Sequence, residues 1–345
     1  MGTLDIPKVF VGLESTAHTF GVGVLDLDGN ILANERESFV TDEGGMVPME
    51  VRRHHERVGE SVWKRALEKV GVDESDVVGI GFSNAPGLAP CLLAGMEFVK
   101  DKARRLEVPV IEVNHCVAHL VVGEKFGARD PVMLYASGAN TQIVGFEGGR
   151  FRVFGETLDL GVGNFIDTVG RMMKLGFPAG AEIEKLAKGY EENSGAMKNM
   201  IPDLLELPYV VKGMDVSLSG IQTKIRDLVV KGEDRGRIAY AMQETVFAML
   251  VEVAERALAH TGKKEMLIGG GVGCNERLVE MCRIMCEERG CELIVPSKDL
   301  LIDNGAMIGY LGLKMWRKDR KGKGLDEVDI RPRERTDDVE VWWEG

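Results

Sequence analysis

Apolar and polar positions alternate along two parts of the chain in a pattern typical of β-strands. Residues 8–25 alternate and are rich in glycine, and the pattern continues over residues 31–39 after a polar turn that contains Asp28-Gly29. Two alternating runs joined by Asp-Gly predict a β-hairpin. The same succession of three strands and two glycine-containing turns returns over residues 131–154. The repetition predicts two lobes, each built on a three-stranded meander, that face each other across a cleft.

Helical periodicity dominates much of the remaining chain. Apolar residues recur at helical spacing over residues 48–70 and 235–261, which predicts two long helices. Short apolar runs at residues 77–82 and 108–113 predict buried strands that lead into helices. This alternation of strands and helices indicates the α/β class. The last residues, 325–345, follow a basic stretch and are predicted to be loosely held.

Length and composition fit a globular protein with two lobes. A chain of 345 residues exceeds the size at which a single core usually divides. We predict a first lobe from residues 1–130 together with residues 305–345, and a second lobe from residues 131–304. The apolar fraction of 44% and the charged fraction of 28% are typical of globular proteins.

The sequence predicts neither a membrane segment nor a secretory signal. No apolar run reaches the length of a membrane span, and residues 1–8 lack the basic and apolar regions of a signal peptide. The six cysteines include no C-x-x-C pair and are expected to be buried thiols. These features predict a cytoplasmic protein. The net charge of −12 repels nucleic acid, so RNA binding would need a local basic surface or a partner that supplies one.

Two histidines provide the first candidate chemistry. His115 and His119 follow the predicted strand at residues 108–113, and on a helix their spacing points both rings the same way. Two imidazoles at this spacing can share a divalent metal ion. The alternative is that both are ordinary helix residues. A metalloprotease would have a glutamate directly after the first histidine, where this chain has Cys116, so peptide hydrolysis is not expected.

A metal site would need further ligands from distant parts of the chain. Asp303 begins an Asp-Asn-Gly turn and is the best candidate, with a helix N-cap as the alternative role. Tyr135 leads into the turn Ser137-Gly-Ala-Asn140 and is a candidate for a phenolate ligand. Its alternative role is that of an aromatic residue at the end of a strand.

Three glycine-rich turns predict that the main chain comes close to a flat or anionic ligand. Gly12, Gly21 and Gly23 flank the first turn, Gly138 lies in the second meander, and residues 269–273 separate a predicted strand from a helix. A helix N-terminus after such a turn adds positive potential. Together the turns predict a nucleotide held between the lobes.

Seven motifs in this chain also occur, in the same order, in one known family. They span about residues 9–314 and read Gly12-Leu-Glu-Ser-Thr-Ala-His-Thr-Phe-Gly, His115-x-x-x-His119, Tyr135-x-Ser-Gly, Gly155-Glu-Thr-Leu-Asp159, Lys212-Gly-Met-Asp-Val-Ser-x-Ser-Gly220, Gln243-Glu-Thr-x-Phe247 and Asp303-Asn-Gly-Ala-Met-Ile308. The chain therefore resembles the archaeal and eukaryotic tRNA N6-adenosine threonylcarbamoyltransferases, the catalytic subunit of the KEOPS complex.

The resemblance implies a fold and a set of site residues. The fold is two-lobed and actin/Hsp70/sugar-kinase-like, and each lobe is a ribonuclease-H-like mixed sheet with helices. An iron ion, or alternatively zinc, is implied in the cleft at His115, His119, Tyr135 and Asp303. Contacts to an adenine nucleotide substrate are implied at Tyr135, Ala136, Ser137, Gly138, Ala139, Asp167, Gly180, Glu184 and Asn275.

The resemblance also implies a reaction and partners. The reaction transfers the threonylcarbamoyl group from threonylcarbamoyl-AMP to N6 of adenosine 37 in tRNAs that read ANN codons. The implied partners are tRNA and KEOPS-type subunits: a small atypical kinase/ATPase, a dimerising subunit and an accessory subunit. Basic clusters at Arg52-Arg53, residues 100–105 and residues 317–323 are candidates for tRNA phosphate contacts. No side chain is assigned as a general base.

Departures from the family pattern keep two alternatives open. Family members usually have glycine where this chain has Ala139 and Ala179, and proline where it has Ala181. The methyl groups at positions 139 and 179 are expected to lie where the main chain approaches the nucleotide. One alternative is a scaffold paralogue without catalytic activity. The other is a stand-alone ATPase or small-molecule kinase on the same fold.

Overall fold

The computed structural model describes residues 8–41, 46–194 and 204–344. The predicted lack of a signal peptide concerns residues 1–8, of which residues 1–7 lie outside these ranges. The strands are β1 (Val9–Glu14), β2 (Thr19–Asp26), β3 (Ile31–Ser38), β4 (Val77–Ala85), β5 (Val110–Asn114), β6 (Val132–Ala136), β7 (Thr141–Glu147), β8 (Arg150–Glu156), β9 (Val211–Lys212), β10 (Asp215–Val216), β11 (Glu265–Gly269) and β12 (Glu292–Ile294).

The helices include both long ones that the apolar periodicity predicted, α1 and α7, with the predicted bounds. They are α1 (Pro48–Val70), α2 (Ala89–Leu106), α3 (His115–Val121), α4 (Val162–Met172), α5 (Gly180–Ser194), α6 (Ser219–Val230), α7 (Arg235–Thr261), α8 (Glu276–Arg289), α9 (Lys298–Leu301) and α10 (Gly305–Lys318). Among the residues placed by the structure, no helix combines the length and apolar character needed to cross a bilayer.

Two mixed sheets organise the fold. The first sheet has the strand order β3-β2-β1-β4-β5 and the second has the order β12-β11-β6-β7-β8. In each sheet an antiparallel meander, β1-β2-β3 or β6-β7-β8, continues into two strands that run parallel to the first strand of that meander. The predicted duplication of the meander is therefore confirmed. The lobe boundaries at residues 130 and 305 stay predictions.

A core shared by both sheets surrounds helices α3 and α10. It joins Phe10 and Val113 of the first sheet to Met133 and Val144 of the second. Helices α1 and α2 cover the other face of the first sheet, whereas α4, α6, α7 and α8 pack with the second. Helices α3 and α10 therefore lie where the two sheets meet.

Helix α10 approaches the first sheet closely because glycines lie at the contact. A Cβ built on Gly12 would lie 2.0 Å from the backbone nitrogen of Gly309, and one on Gly23 would lie 2.3 Å from that of Ala306. The prediction that these glycines and Gly21 open the main chain to a ligand is wrong. Because glycine has no side chain, these positions allow the backbone of helix α10 to pack against the sheet.

The C-terminal segment is bound to both sheets, so the prediction that it is loosely held is wrong. Thr336 donates from Oγ1 to Gln142 Oε1 on β7, at 2.9 Å. Asn114, at the end of β5, donates to Glu334 Oε2 at 3.1 Å. Trp343 is only 3% exposed and packs into the shared core. Each anchoring contact joins a single residue of the segment to a residue far away in sequence. Such contacts do not require a periodic apolar pattern, and the segment has none.

We expect Gly12→Ala to lower the free energy of unfolding by about 3 kcal/mol, because the new methyl group would meet backbone atoms that cannot rotate away. Gly189→Ala in α5 is the control, since a Cβ there meets nothing within 4 Å. The control is expected to keep or slightly raise stability. Urea unfolding followed by circular dichroism measures both, and equal midpoints would contradict the close contact.

The two adjacent tryptophans near the C-terminus provide a matched pair. Trp343 is buried in the shared core, whereas Trp342 is 49% exposed. We expect Trp343→Ala to cost about 3–5 kcal/mol of unfolding free energy, the usual range for a buried tryptophan. Trp342→Ala should cost less than about 1 kcal/mol. Thermal unfolding compares the two, and similar losses would mean that the segment is not anchored by Trp343.

Candidate metal and nucleotide site

The carboxyl ends of the parallel strands bring the candidate residues together. Strand β1 ends at Glu14, β5 ends directly before His115, β6 carries Tyr135 at its end, and β11 ends at Gly269. Ligands in α/β proteins usually bind beyond the carboxyl ends of such strands. Both sheets thus turn their ligand-binding edges toward one region of the molecule.

The two histidines occupy the start and middle of the short helix α3. Asn114 caps this helix, because its Oδ1 accepts a hydrogen bond of 3.2 Å from the Val117 amide. The ring centroids of His115 and His119 are 4.8 Å apart, and both rings are buried. The predicted spacing therefore places both imidazoles on the same side of the helix.

Asp303 lies beside these rings and does not cap the following helix. Asn304 is the N-cap of α10, since its Oδ1 accepts a 2.9 Å hydrogen bond from the Met307 amide. The Oδ1 atom of Asp303 lies 3.3 Å from His115 Nε2 and 3.6 Å from His119 Nε2. One ligand atom from each of the three residues lies within 4.8 Å of the others.

The donor set fits a metal ion. Neither ring nitrogen of His119 has a hydrogen-bond partner in the part of the chain that the structure describes. A buried polar atom left in this state costs about 1–3 kcal/mol. A cation between the two rings and the carboxylate would satisfy His119 Nε2, the nitrogen that faces Asp303, and imidazole with carboxylate suits iron or zinc. If His119 were an ordinary helix residue, its buried ring nitrogens would be expected to have hydrogen-bond partners.

Electrostatics makes the two imidazoles different. Burial lowers the pKa of His115, but the carboxylates of Glu14 and Asp303 outweigh it and raise that pKa well above its ordinary value. Burial lowers the pKa of His119, and the charge on His115 lowers it further. Burial acts to raise the pKa of Asp303, yet His115 holds it well below the usual range. In the metal-free protein a proton on His115 therefore balances the carboxylates, and a metal ion would have to displace it.

Tyr135 borders the histidine pair from the second sheet. Its ring centroid lies 5.1 Å from that of His119 and 6.4 Å from that of His115. Burial, followed by the influence of Cys116 and Asp303, raises the pKa of Tyr135 well above its ordinary value. The metal-free protein therefore keeps the phenol protonated.

The predicted nucleotide turn directly follows Tyr135 and rests on helix α4. The Ser137 carbonyl accepts from the Gly163 amide at 3.0 Å, and the Gly138 carbonyl accepts from the Asn164 amide at 2.9 Å. Gly138 and Ala139 are exposed. A Cβ on Gly161 would lie 2.5 Å from the carbonyl carbon of Ala139, so the absence of a side chain there allows this packing.

The glycine loop at residues 269–273 packs against the same turn. Gly270 has a φ of +87°, and a Cβ there would lie 2.4 Å from the carbonyl oxygen of Ala136. Beyond the loop, Asn275 caps α8 and donates from Nδ2 to Gln243 Oε1 at 2.7 Å. Glu184 accepts from the Glu276 amide at 2.7 Å. Glu184 and Asn275 thus meet at the start of α8.

Asp167 lies in α4 and contacts the residue directly before Gly180, which begins helix α5. Asp167 Oδ1 accepts from the Ala179 amide at 2.8 Å, and burial raises the pKa of Asp167. The Ala179 methyl is buried, and a Cβ on Gly170 would lie 2.2 Å from it. The expectation that this methyl lies where a nucleotide approaches is wrong, because it faces helix α4. Ala139 and Ala181 are exposed.

Sequence reasoning did not select Glu14 as a site residue. This carboxylate is fully buried, and its Oε2 lies 2.8 Å from His115 Nδ1. The available signal was a charged residue at the end of the apolar run over residues 9–13, since carboxylates are rarely buried without a partner.

The proposed basic clusters are partly occupied by contacts within the chain. Arg52 bonds to Glu56 and Glu97, each at 2.7 Å. Lys102 is buried, and its Nζ lies 4.9 Å from the centroid of the Trp63 ring. These two side chains are therefore poorer candidates for tRNA phosphate contacts than their sequence context indicated.

Solved structures share this fold. The activator of 2-hydroxyisocaproyl-CoA dehydratase from Clostridium difficile matches with a TM-score of 0.54 at 12% identity, over 94% of this chain and 99% of that chain. HypF from Thermococcus kodakarensis matches with a TM-score of 0.56 at 15% identity, over 90% of this chain and 48% of HypF. The fold is thus the predicted two-lobed actin/Hsp70/sugar-kinase-like α/β fold.

Comparisons of sequence identify the family. The profile of the TsaD family, described as tRNA N6-adenosine threonylcarbamoyltransferase, matches residues 30–310. A relative of that name in Thermococcus kodakarensis is 46% identical over 97% of this chain and all of its own length. A Drosophila melanogaster protein named as probable tRNA N6-adenosine threonylcarbamoyltransferase is 40% identical over 96% of this chain and 98% of its own length. The chain belongs to the TsaD family of tRNA N6-adenosine threonylcarbamoyltransferases.

Proposed function

We propose that this protein transfers the threonylcarbamoyl group from threonylcarbamoyl-AMP to N6 of adenosine 37 in tRNAs that read ANN codons. Family membership supports the reaction. The structural observation that carries the proposal is the convergence of His115, His119 and Asp303 next to Tyr135, which leads into the turn at residues 137–140. Gly138 and Ala139 of this turn are exposed. A metal ion and an adenine nucleotide would then bind side by side.

In this proposal His115, His119, Tyr135 and Asp303 hold one Fe²⁺ ion, with Zn²⁺ as the alternative. When bound, the metal ion supplies a Lewis acid that polarises the carbonyl of the threonylcarbamoyl donor. Imidazole and carboxylate ligands suit both metals. Metal analysis of protein purified without oxygen is the measurement that chooses between them.

The nucleotide part of the donor is assigned to residues of the second sheet and its helices. The exposed main chain at Gly138 and Ala139 offers polar groups to the phosphate. The N-termini of α4 and α8 add positive potential. The contacts assigned to the donor are Tyr135, Ala136, Ser137, Gly138, Ala139, Asp167, Gly180, Glu184 and Asn275.

The reaction forms a bond between adenine N6 and the carbamoyl carbon. The bond from that carbon to the phosphate oxygen breaks, AMP leaves, and one proton leaves N6. An exocyclic amine is a weak nucleophile, so holding donor and acceptor in contact must lower much of the barrier. The protein contributes chiefly by fixing the donor between the histidine pair and the turn at residues 137–140.

We also propose that the protein works in the cytoplasm with KEOPS-type subunits: a small atypical kinase/ATPase, a dimerising subunit and an accessory subunit. The net charge of −12 and the internal pairing of Arg52 favour a basic surface supplied by a partner. A relative in Methanosarcina acetivorans, named as a probable bifunctional tRNA threonylcarbamoyladenosine biosynthesis protein, is 45% identical, and the match covers 59% of that longer chain.

The double variant His115→Ala, His119→Ala tests the proposed site. It is expected to lose bound metal and to lower the formation of modified tRNA at least about 100-fold, because two ligands and the carbonyl polarisation disappear together. The measurements are metal content and threonylcarbamoyladenosine formed from threonylcarbamoyl-AMP and tRNA, with the partner subunits present. His260→Ala, at an exposed position near the end of α7, should change neither.

The same assay separates the transferase from its alternatives. If the double variant modified tRNA as fully as the unmodified protein, the proposed role of the metal ion would be contradicted. No modification by the unmodified protein, despite stable assembly with partners, would favour a scaffold. Hydrolysis of ATP by the protein alone, without a transition metal, would favour a stand-alone ATPase or kinase.

Gly161→Ala tests the nucleotide site independently of the metal. The new Cβ would lie 2.5 Å from the carbonyl of Ala139 and displace the turn at residues 137–140. We expect at least about tenfold weaker binding of ADP by calorimetry, equivalent to about 1.4 kcal/mol. Metal content serves as the internal control and should not change. Undiminished ADP affinity would show that this turn does not contact the nucleotide.

A further inference from the structure

Glu14 is a carboxylate enclosed by the protein at the end of strand β1. It has no exposed surface, and His115 is its ion-pair partner among the residues that the structure describes. Its Oε1 atom accepts from the Thr16 amide at 2.6 Å and from Thr16 Oγ1 at 2.5 Å. Its Oε2 atom lies 2.8 Å from His115 Nδ1. Both oxygens are thus held, one by the amide and hydroxyl of Thr16 and one by the imidazole.

This arrangement determines which nitrogen of His115 faces the candidate metal site. Glu14 Oε1 accepts both hydrogen bonds from Thr16, and with Oε2 also assigned as an acceptor, His115 Nδ1 is the donor. In the neutral ring the lone pair then lies on Nε2, which is the nitrogen 3.3 Å from Asp303 Oδ1. His119 differs, because neither of its ring nitrogens lies within hydrogen-bond distance of a described residue, and Asp303 Oδ1 is 3.6 Å from its Nε2.

We propose that Glu14 is a positioning residue that orients His115 and fixes its tautomer, so that Nε2 is presented to the metal ion, while Thr16 holds Glu14. The inference rests on the proposed function, in which His115 is a metal ligand. Ligating histidines commonly donate their second ring N–H to a carboxylate, which orients the ring and strengthens it as a ligand. Here the carboxylate comes from β1 and the ligand from the element after β5, so the first sheet itself sets the ligand geometry.

Glu14→Gln tests this role, because it keeps the size of the side chain and removes its charge. We expect a 10- to 100-fold loss of metal affinity, the usual effect of losing such a partner. Metal-free protein is titrated with Co²⁺ and with Zn²⁺ in competition with a chelating dye. The visible absorption bands of the Co²⁺-loaded variant should also shift, which a change confined to stability would not cause.

Glu112→Gln is the matched control. Glu112 is also nearly buried, with 8% side-chain exposure, but it pairs with Lys323 and Arg331. It should keep wild-type metal affinity and spectrum. Thr16→Val keeps the carboxylate but removes the hydroxyl that donates to it and that also lies 3.4 Å from His115 Nδ1, and about threefold weaker binding is expected.

The outcomes separate this inference from the proposed function. If the unmodified protein binds neither Co²⁺ nor Zn²⁺, the proposed metal function fails, and the role of Glu14 fails with it. If the unmodified protein binds and Glu14→Gln binds equally well with the same spectrum, the role of Glu14 is overturned while the metal function stands. If Glu14→Gln does not fold, unchanged affinity in Thr16→Val overturns the inference, and weakened affinity with unchanged folding supports it.

Discussion

The contact between glycines of helix α10 and the first sheet determines where the candidate site forms. Gly12 and Gly23 leave room for the backbone at Ala306 and Gly309, and any side chain there would push the helix away. Asp303 lies two residues before this helix, so the depth of the helix sets the distance from its carboxylate to the histidines. Close backbone packing therefore helps to bring the third candidate ligand to the first two.

Much of the fold was predictable because its elements are long and periodic. The bounds of α1 and α7 and the duplicated meander followed from apolar spacing alone. The failures have a different physical origin. A glycine shows that something comes close to the main chain, but the sequence does not say whether that is a ligand or a helix, as at Gly12. The C-terminal segment is anchored by contacts such as Trp343 in the shared core, which leave no periodic pattern.

The candidate site was predictable at positions where the residue type and its sequence context suggest few other roles. His115 and His119 share a helix turn, and Asp303 stands in a turn-forming sequence, so their chemistry can be recognised before their positions are known. Glu14 was missed because its role depends on the ring of His115, which follows β5, and β5 is not a neighbour of β1 in the sheet. The error at Ala179 has the same cause, since the direction of its methyl group is set by packing against Gly170 and not by local sequence.

The two halves of the site belong to different sheets, and this division bears on the reaction. The histidine pair and Glu14 are set by the first sheet, whereas Tyr135 and the turn at residues 137–140 are set by the second. A donor that contacts both groups must span them, so its reactive carbonyl is placed correctly only when the sheets keep a fixed relation. The shared core around α3 and α10, and the C-terminal segment that bonds to Asn114 and Gln142, supply that relation. Reaction of a weak amine nucleophile requires precise placement of the donor. That placement therefore depends on packing contacts well away from the reacting atoms.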